Sequence, residues 1–178
     1  MASVLANVAQ AAHSAAAAML SAAQIEAGDP IPQKPVKEED PERSITLDLS
    51  GKNIIRGVPG AFTPPCSSQV PQYIADYEKF KAKGVKNIYV VAVNDAFVVK
   101  AWKEKLAPQG TGVRFIADDK GEFTSGVGLL FDASGLLGSP RSKRYVIVAQ
   151  DGKVDFIAVE EQPANITSTA ANVVIAQL

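Results

Sequence analysis

Apolar residues along this chain recur in spacings that separate strands from helices. Ser44-Ile45-Thr46-Leu47-Asp48-Leu49 alternates polar and apolar positions, the pattern of a half-buried strand. Asn53-Ile54-Ile55 is a second short strand. Val70, Tyr73, Ile74, Tyr77 and Phe80 then fall three or four apart, which predicts a helix from Cys66 to Lys83, closed by Gly84 as its C′ residue. Ile88-Tyr89-Val90-Val91-Ala92-Val93 is unbroken apolar sequence, as in a central strand covered on both faces. Asn94-Asp95 caps a helix running through Lys103, and Val113 to Ala117 forms the next strand. Strand-like runs Arg144–Ala149 and Val154–Val159 flank Asp151-Gly152, a hairpin signal, and Thr167 to Leu178 reads as a closing helix. The order β-β-α-β-α-β-(α)-β-β-α predicts an α/β domain. Its sheet is expected to be mainly parallel and flanked by helices, with the final hairpin as an antiparallel edge.

The remaining segments carry weaker patterns. Residues 29–41, from Asp29-Pro30-Ile31-Pro32 through Pro41, mix prolines and charges and read as an exposed loop. Residues 1–24 form an Ala-rich extension with 11 alanines, and the first Lys, Arg, Asp or Glu is Glu26. That composition favours helix but lacks the positive start of a secretory signal and the arginines of a transit peptide. The domain proper is expected over 25–178. The glycine-rich stretch 121–138 lacks the spacings that cradle phosphate and reads as a loop.

Composition narrows the chemistry. The 178 residues are 47% hydrophobic and 21% charged, with net charge −1, enough for a sizeable core and no incentive to bind nucleic acid or an anionic membrane. No apolar run approaches the ~20 residues of a membrane span. One cysteine, Cys66, excludes an intramolecular disulfide and a cysteine-based zinc cage, and no other metal site or cofactor is expected. The one histidine, His13, lies far from it in sequence and argues against a Ser-His-Asp triad. Taken alone, a single cysteine is most simply a buried small hydrophobe. Cys66, however, falls where an apolar strand gives way to a helix. The first amides of a helix lack internal partners and its dipole is positive there, so a thiolate is favoured.

The stretch Pro59-Gly60-Ala61-Phe62-Thr63-Pro64-Pro65-Cys66 resembles the P-x-x-x-T-x-x-C signature of peroxiredoxins. Gly57-Val58-Pro59-Gly60-Ala61-Phe62-Thr63-Pro64 is similar to the type II (atypical, peroxiredoxin-5-like) subfamily, which has many fungal and plant members. Lys81-Ala82-Lys83-Gly84-Val85, Val93-Asn94-Asp95-Ala96-Phe97-Val98 and Arg141-Ser142-Lys143-Arg144-Tyr145 follow in family order, so the resemblance covers roughly residues 25–178. It implies a thioredoxin-like fold, with a central mixed sheet, and reduction of hydrogen peroxide and alkyl hydroperoxides by a thiol. By the same resemblance Cys66 is the peroxidatic nucleophile, Thr63 orients the peroxide, Arg144 supplies a fixed positive charge, and Pro59 shields the thiolate from water. Outside the resemblance, Arg144 reads as an exposed strand charge, and Arg141 and Lys143 remain open as the acting cation. Phe62, Phe97 and Trp102 read as packing residues, some of them at the dimer surface that relatives form.

Three departures from the family pattern stand out. Ser67-Ser68-Gln69-Val70 leaves four residues before Pro71 where the family has five, and no histidine lies among them. Pro65 has no N–H to offer a substrate. No second cysteine exists, so a sulfenic acid on Cys66 must meet an external thiol in a 1-Cys cycle, with thioredoxin or glutaredoxin/glutathione as reductant. A homodimer is the expected assembly. The expected compartment is the cytoplasm; the alternative, through Ala176-Gln177-Leu178, is the peroxisome. Two other functions fit the same residues: a non-catalytic thioredoxin-fold redox sensor or chaperone, and a glutathione-dependent thiol transferase, which has little need of Thr63.

Overall fold

The computed structural model describes residues 19–20 and 22–178, so most of the Ala-rich extension lies outside the described residues. Among the described residues seven strands make one sheet in the order β2-β1-β5-β4-β3-β8-β9. Its centre is β3 (Lys52–Val58) beside β4 (Val85–Ala92), both buried through almost all their length. They pair in parallel, as do β4 and β5 (Arg114–Ala117). Every other pairing is antiparallel: β3 with β8 (Tyr145–Gln150), β8 with β9 (Lys153–Val159), and β1 (Val36–Lys37) with β2 (Ser44–Ile45) and with β5. The sheet is therefore mixed, with the hairpin strand β8 inside it against β3. At the hairpin turn Asp151 (φ 50°) and Gly152 (φ 79°) both take positive φ, the backbone a type I′ turn requires.

Helices cover both faces. On one, α1 (Pro64–Ala75), α2 (Tyr77–Ala82), α3 (Ala96–Leu106) and α6 (Ala171–Gln177) enclose a core that includes Ile54, Val58, Val70, Val90, Trp102 and Val146. On the other, Ile55, Tyr89, Val91, Ile116 and Ile147 pack with Ile25, Leu47, Leu49 and Phe123. Neighbouring strand residues thus serve opposite cores, as period-two side chains must.

The structure differs from the sequence pattern in several places. The 29–41 segment contains β1, and the predicted strand 44–49 pairs only at Ser44–Ile45 although Leu47 and Leu49 remain buried. Its partner β1 is two residues long, so the ladder ends where β1 ends. The predicted helix 66–83 is two helices meeting at Asp76, whose φ of −92° and ψ of 11° leave the helical range. The glycine-rich stretch folds into α4 (Glu122–Gly126), β6 (Leu130–Phe131) and α5 (Ser134–Leu137), with β6 paired to β7 (Arg141–Ser142). Near the chain start, the Met19 carbonyl accepts from Ser125 Oγ at 2.9 Å, and a side chain at Gly128 would collide with Ala23.

Candidate active site

The site forms where β3 hands over to α1. Gly57 lies so close to Tyr145 that a Cβ there would come within 2.0 Å of the ring, which only glycine avoids. After β3 the chain turns through Pro59 to Phe62, and Phe62 takes a left-handed φ of 63°. The Ala61 N–H donates to Asn94 Oδ1 at 3.0 Å, which ties this turn to the end of β4. Thr63 is the N-cap, and Pro64 and Pro65 open the helix, where a missing N–H costs least. Thr63 N–H donates to Gly60 O and Ser67 N–H to Thr63 O. With two prolines in front, the Cys66 amide is the helix-start donor left for a ligand.

Cys66 is fully buried. Arg144 reaches its Sγ from the bend preceding β8, with Nη2 donating at 3.4 Å. The same guanidinium donates through Nε to Pro163 O at 2.9 Å and through Nη1 to Gln69 Oε1 at 2.6 Å. Arg144 is 1% exposed and lies outside the strand, which overturns its reading as a surface strand charge. Arg141 is engaged elsewhere, donating to Val93 O and Leu137 O, and Lys143 lines a separate depression beside Glu161. Of the three cations, Arg144 is the one on the sulfur.

Behind this pair lies a network that the motif did not reveal. Gln69 Oε1 also accepts from Arg56 Nη2, so two guanidiniums share one carbonyl oxygen. Gln69 Nε2 donates to Thr169 O at 2.9 Å and to Thr169 Oγ1 at 2.8 Å. Thr169 Oγ1 in turn donates to Glu160, whose carboxylate also accepts from Thr169 N, Thr167 N and Thr167 Oγ1. The chain of bonds has one direction. It starts at Glu160, a carboxylate that only accepts, and ends at arginines that only donate. Burial opposes the Glu160 charge, but its Thr167 and Thr169 donors outweigh that and bring its pKa to about 2.

Arg56 comes from the helix-facing side of β3 and lies 4.7 Å over the Tyr73 ring. It is fully buried, and its Nε and Nη1 have no partner among the described residues. Burial pulls its pKa down to about 10; Tyr73 and Cys66 oppose the fall and Arg144 adds to it. Burial likewise pushes the Tyr73 hydroxyl above its usual range. A periodicity signal for these residues was present. Cys66, Gln69 and Tyr73 fall at i, i+3 and i+7 on one helix face, and Arg56 shares the strand face of Ile54 and Val58.

Thr63 Oγ1 donates to Gly60 O at 2.9 Å, which leaves its lone pairs free for an incoming O–H. Thr63, Pro59, Pro65 and Arg144 form one wall of a cavity of about 670 Å³, and Phe131, Leu136 and Leu137 belong to the other. Phe62 (45% exposed) and Phe97 (69%) lie at the surface, whereas Trp102 packs inside and donates to Ser67 Oγ at 3.1 Å. Among the described residues no group of three or more His, Cys, Asp or Glu side chains could hold a metal, and no helix is long and apolar enough to cross a membrane.

A thioredoxin-like domain with a buried thiol at a helix start, paired to an arginine, defines a class of thiol-based redox enzymes. Residues 26–175 match the family model described as Redoxin, and the chain belongs to that family, in its peroxiredoxin branch. It is 49% identical over 152 residues to Peroxisomal membrane associated protein 20 of Schizosaccharomyces pombe, an alignment spanning 85% of this chain and 97% of that one. It is 37% identical over 158 residues to Peroxiredoxin-2C of Arabidopsis thaliana, spanning 85% and 97%. Among solved structures, peroxiredoxin 5 from Alvinella pompejana superposes with TM-score 0.77 at 36% identity, covering 86% of this chain and 99% of that chain. Reduced Prx3 from Vibrio vulnificus in complex with hydrogen peroxide gives TM-score 0.77 at 34% identity, covering 87% and 100%. The activity is that of a thiol peroxidase, acting on a peroxide with a thiol as reductant.

Proposed function

We propose that Cys66 is the peroxidatic thiol of a 1-Cys cycle that reduces hydrogen peroxide and alkyl hydroperoxides. The observation that carries this reading is the 3.4 Å contact from Arg144 Nη2 to Cys66 Sγ, at a helix start whose prolines leave the Cys66 amide as a donor. A hydroperoxide entering the cavity donates its O–H to Thr63 Oγ1. Arg144 and the Cys66 amide donate to its oxygens. The Cys66 thiolate attacks the terminal oxygen, the O–O bond breaks, and the departing alkoxide takes a proton to become the alcohol, leaving Cys66 as sulfenic acid. Donors aimed at the departing oxygen act where charge develops. Pro59, buried in the cavity wall, keeps water from the sulfur.

With no second cysteine in the chain, the sulfenic acid condenses with an external thiol, releasing water, and a second thiol frees Cys66 from the mixed disulfide. Thioredoxin and glutaredoxin/glutathione are the reductants proposed; comparing NADPH oxidation in the two reconstituted systems separates them. We further infer a homodimer covering Phe62 and Phe97, an idea that a monomer in sedimentation velocity would remove. The name of the 49% identical relative from Schizosaccharomyces pombe supports the peroxisome as compartment, and imaging of a tagged chain tests it.

The experiment is peroxide consumption with excess dithiothreitol. Wild type is expected to consume hydrogen peroxide rapidly and Cys66→Ser to fall to the background rate. Equal, slow consumption by both would end this reading.

A further inference from the structure

The structure points to Arg56 as a second cation of the thiolate site, a positioning residue that holds Arg144 on the sulfur through their shared acceptor and adds its own charge to the pocket. The inference rests on the reading of Cys66 as the reacting thiol.

Three observations carry it. First, Arg56 is buried without a carboxylate. Among the described residues its hydrogen-bond acceptor is Gln69 Oε1, its Nε and Nη1 are unpartnered, and it lies over the Tyr73 ring. A buried charge left this bare costs stability, and an apolar side chain of the same volume would serve the core better. A structural role therefore does not account for it. Second, Gln69 has no freedom. Both Nε2 hydrogens are engaged by Thr169, so Oε1 must face the two guanidiniums. Arg56 occupies one side of that oxygen and Arg144 the other, which leaves Arg144 the orientation that points Nη2 at Cys66. Third, the charge count about the sulfur is lopsided. Arg144 from the bend before β8, Arg56 from β3, Tyr73 from α1 and, beyond Thr169, Glu160 after β9 are the ionisable groups of this network. Glu160 is the anion among them, and its carboxylate is fully taken up by Thr167 and Thr169. An anionic sulfur is the group that balances the second guanidinium.

The test compares wild type with Arg56→Met and Arg56→Lys. It reads the pH profile of Cys66 alkylation by iodoacetamide, the kcat/KM for hydrogen peroxide and the thermal midpoint. Removing an opposite charge from a thiolate site weakens the anionic form by about tenfold. Arg56→Met is accordingly expected to alkylate about tenfold more slowly at pH 6, with the rising limb of its profile displaced to higher pH and kcat/KM reduced alongside. Its thermal midpoint should be equal to or above that of wild type. Arg56→Lys should recover most of the alkylation rate. A folded Arg56→Met with the wild-type alkylation profile would overturn the inference. If Arg56→Met does not fold, the neutral polar variant Arg56→Gln decides in its place. A folded Arg56→Gln with slowed alkylation and a profile displaced to higher pH supports the proposal, and one with the wild-type profile overturns it. Alkylation needs no peroxide, so a wild type that failed to consume peroxide would sink the peroxidase reading while leaving this one standing.

Discussion

At the residue scale the site is a thiol with one amide, one hydroxyl and one guanidinium around it. The Thr63 hydroxyl is the element whose chemistry is easiest to isolate. Its proton is held by Gly60 O, and it is only half-buried, so removing it disturbs little of the fold. Thr63→Val is expected to lower kcat/KM for hydrogen peroxide by on the order of tenfold to 100-fold through lost orientation. Stability should change by about 1 kcal/mol or less. Stopped-flow peroxide kinetics and a thermal melt check both halves; an unchanged rate takes Thr63 out of the mechanism. Cys66 and Thr63 stood out in the sequence through the spacing of one motif, and Arg144 through the family resemblance alone, with Arg141 and Lys143 still open beside it. Gln69 and Arg56 did not. Their meaning depends on partners such as Thr169, 100 residues from Gln69, and only the fold supplies those.

At the element scale, α1 and α5 face each other across the cavity. Strong patterns, such as the unbroken run in β4 or the Asp151-Gly152 hairpin, were readable because burial on both faces and a type I′ turn each impose a distinctive composition. β1 and α5 were not, since two strand residues or one helical turn carry no periodicity. Yet α5 sets the far wall of the cavity. Leu136 is 87% exposed there, a large apolar residue the fold itself does not use. Leu136→Asp should leave the melt unchanged, as surface substitutions usually do. It should reduce kcat/KM for cumene hydroperoxide by about tenfold, the worth of a few apolar contacts, with hydrogen peroxide little affected. Equal losses for both substrates would assign the wall no part in selecting the alkyl group.

At the scale of the whole molecule, the segment after β9 is fastened to α1 through Glu160, Thr169 and Gln69 in series. The folded state lowers the pKa of this carboxylate from 4.5 to about 2. Folding is therefore favoured by its charge above pH 4.5, and the contribution is lost as pH falls toward 2. Glu160→Gln should melt below wild type at neutral pH, with the gap shrinking through the window from about pH 4.5 to about pH 2. A gap independent of pH would show that the carboxylate charge contributes nothing. Because Thr169 holds Gln69 and Gln69 holds Arg144, the variant should also lose peroxidase activity at neutral pH.

The complete burial of Cys66 sorts its reaction partners by size. Its sulfur has no exposed surface, so any reagent must displace some of the packing around the first turn of α1, and a bulkier thiol must displace more than a peroxide. Trp102, the sole tryptophan, is bonded to Ser67 in that same turn and would brighten or dim with each such displacement. Its fluorescence thus offers a label-free measure of how far each reagent disturbs the site.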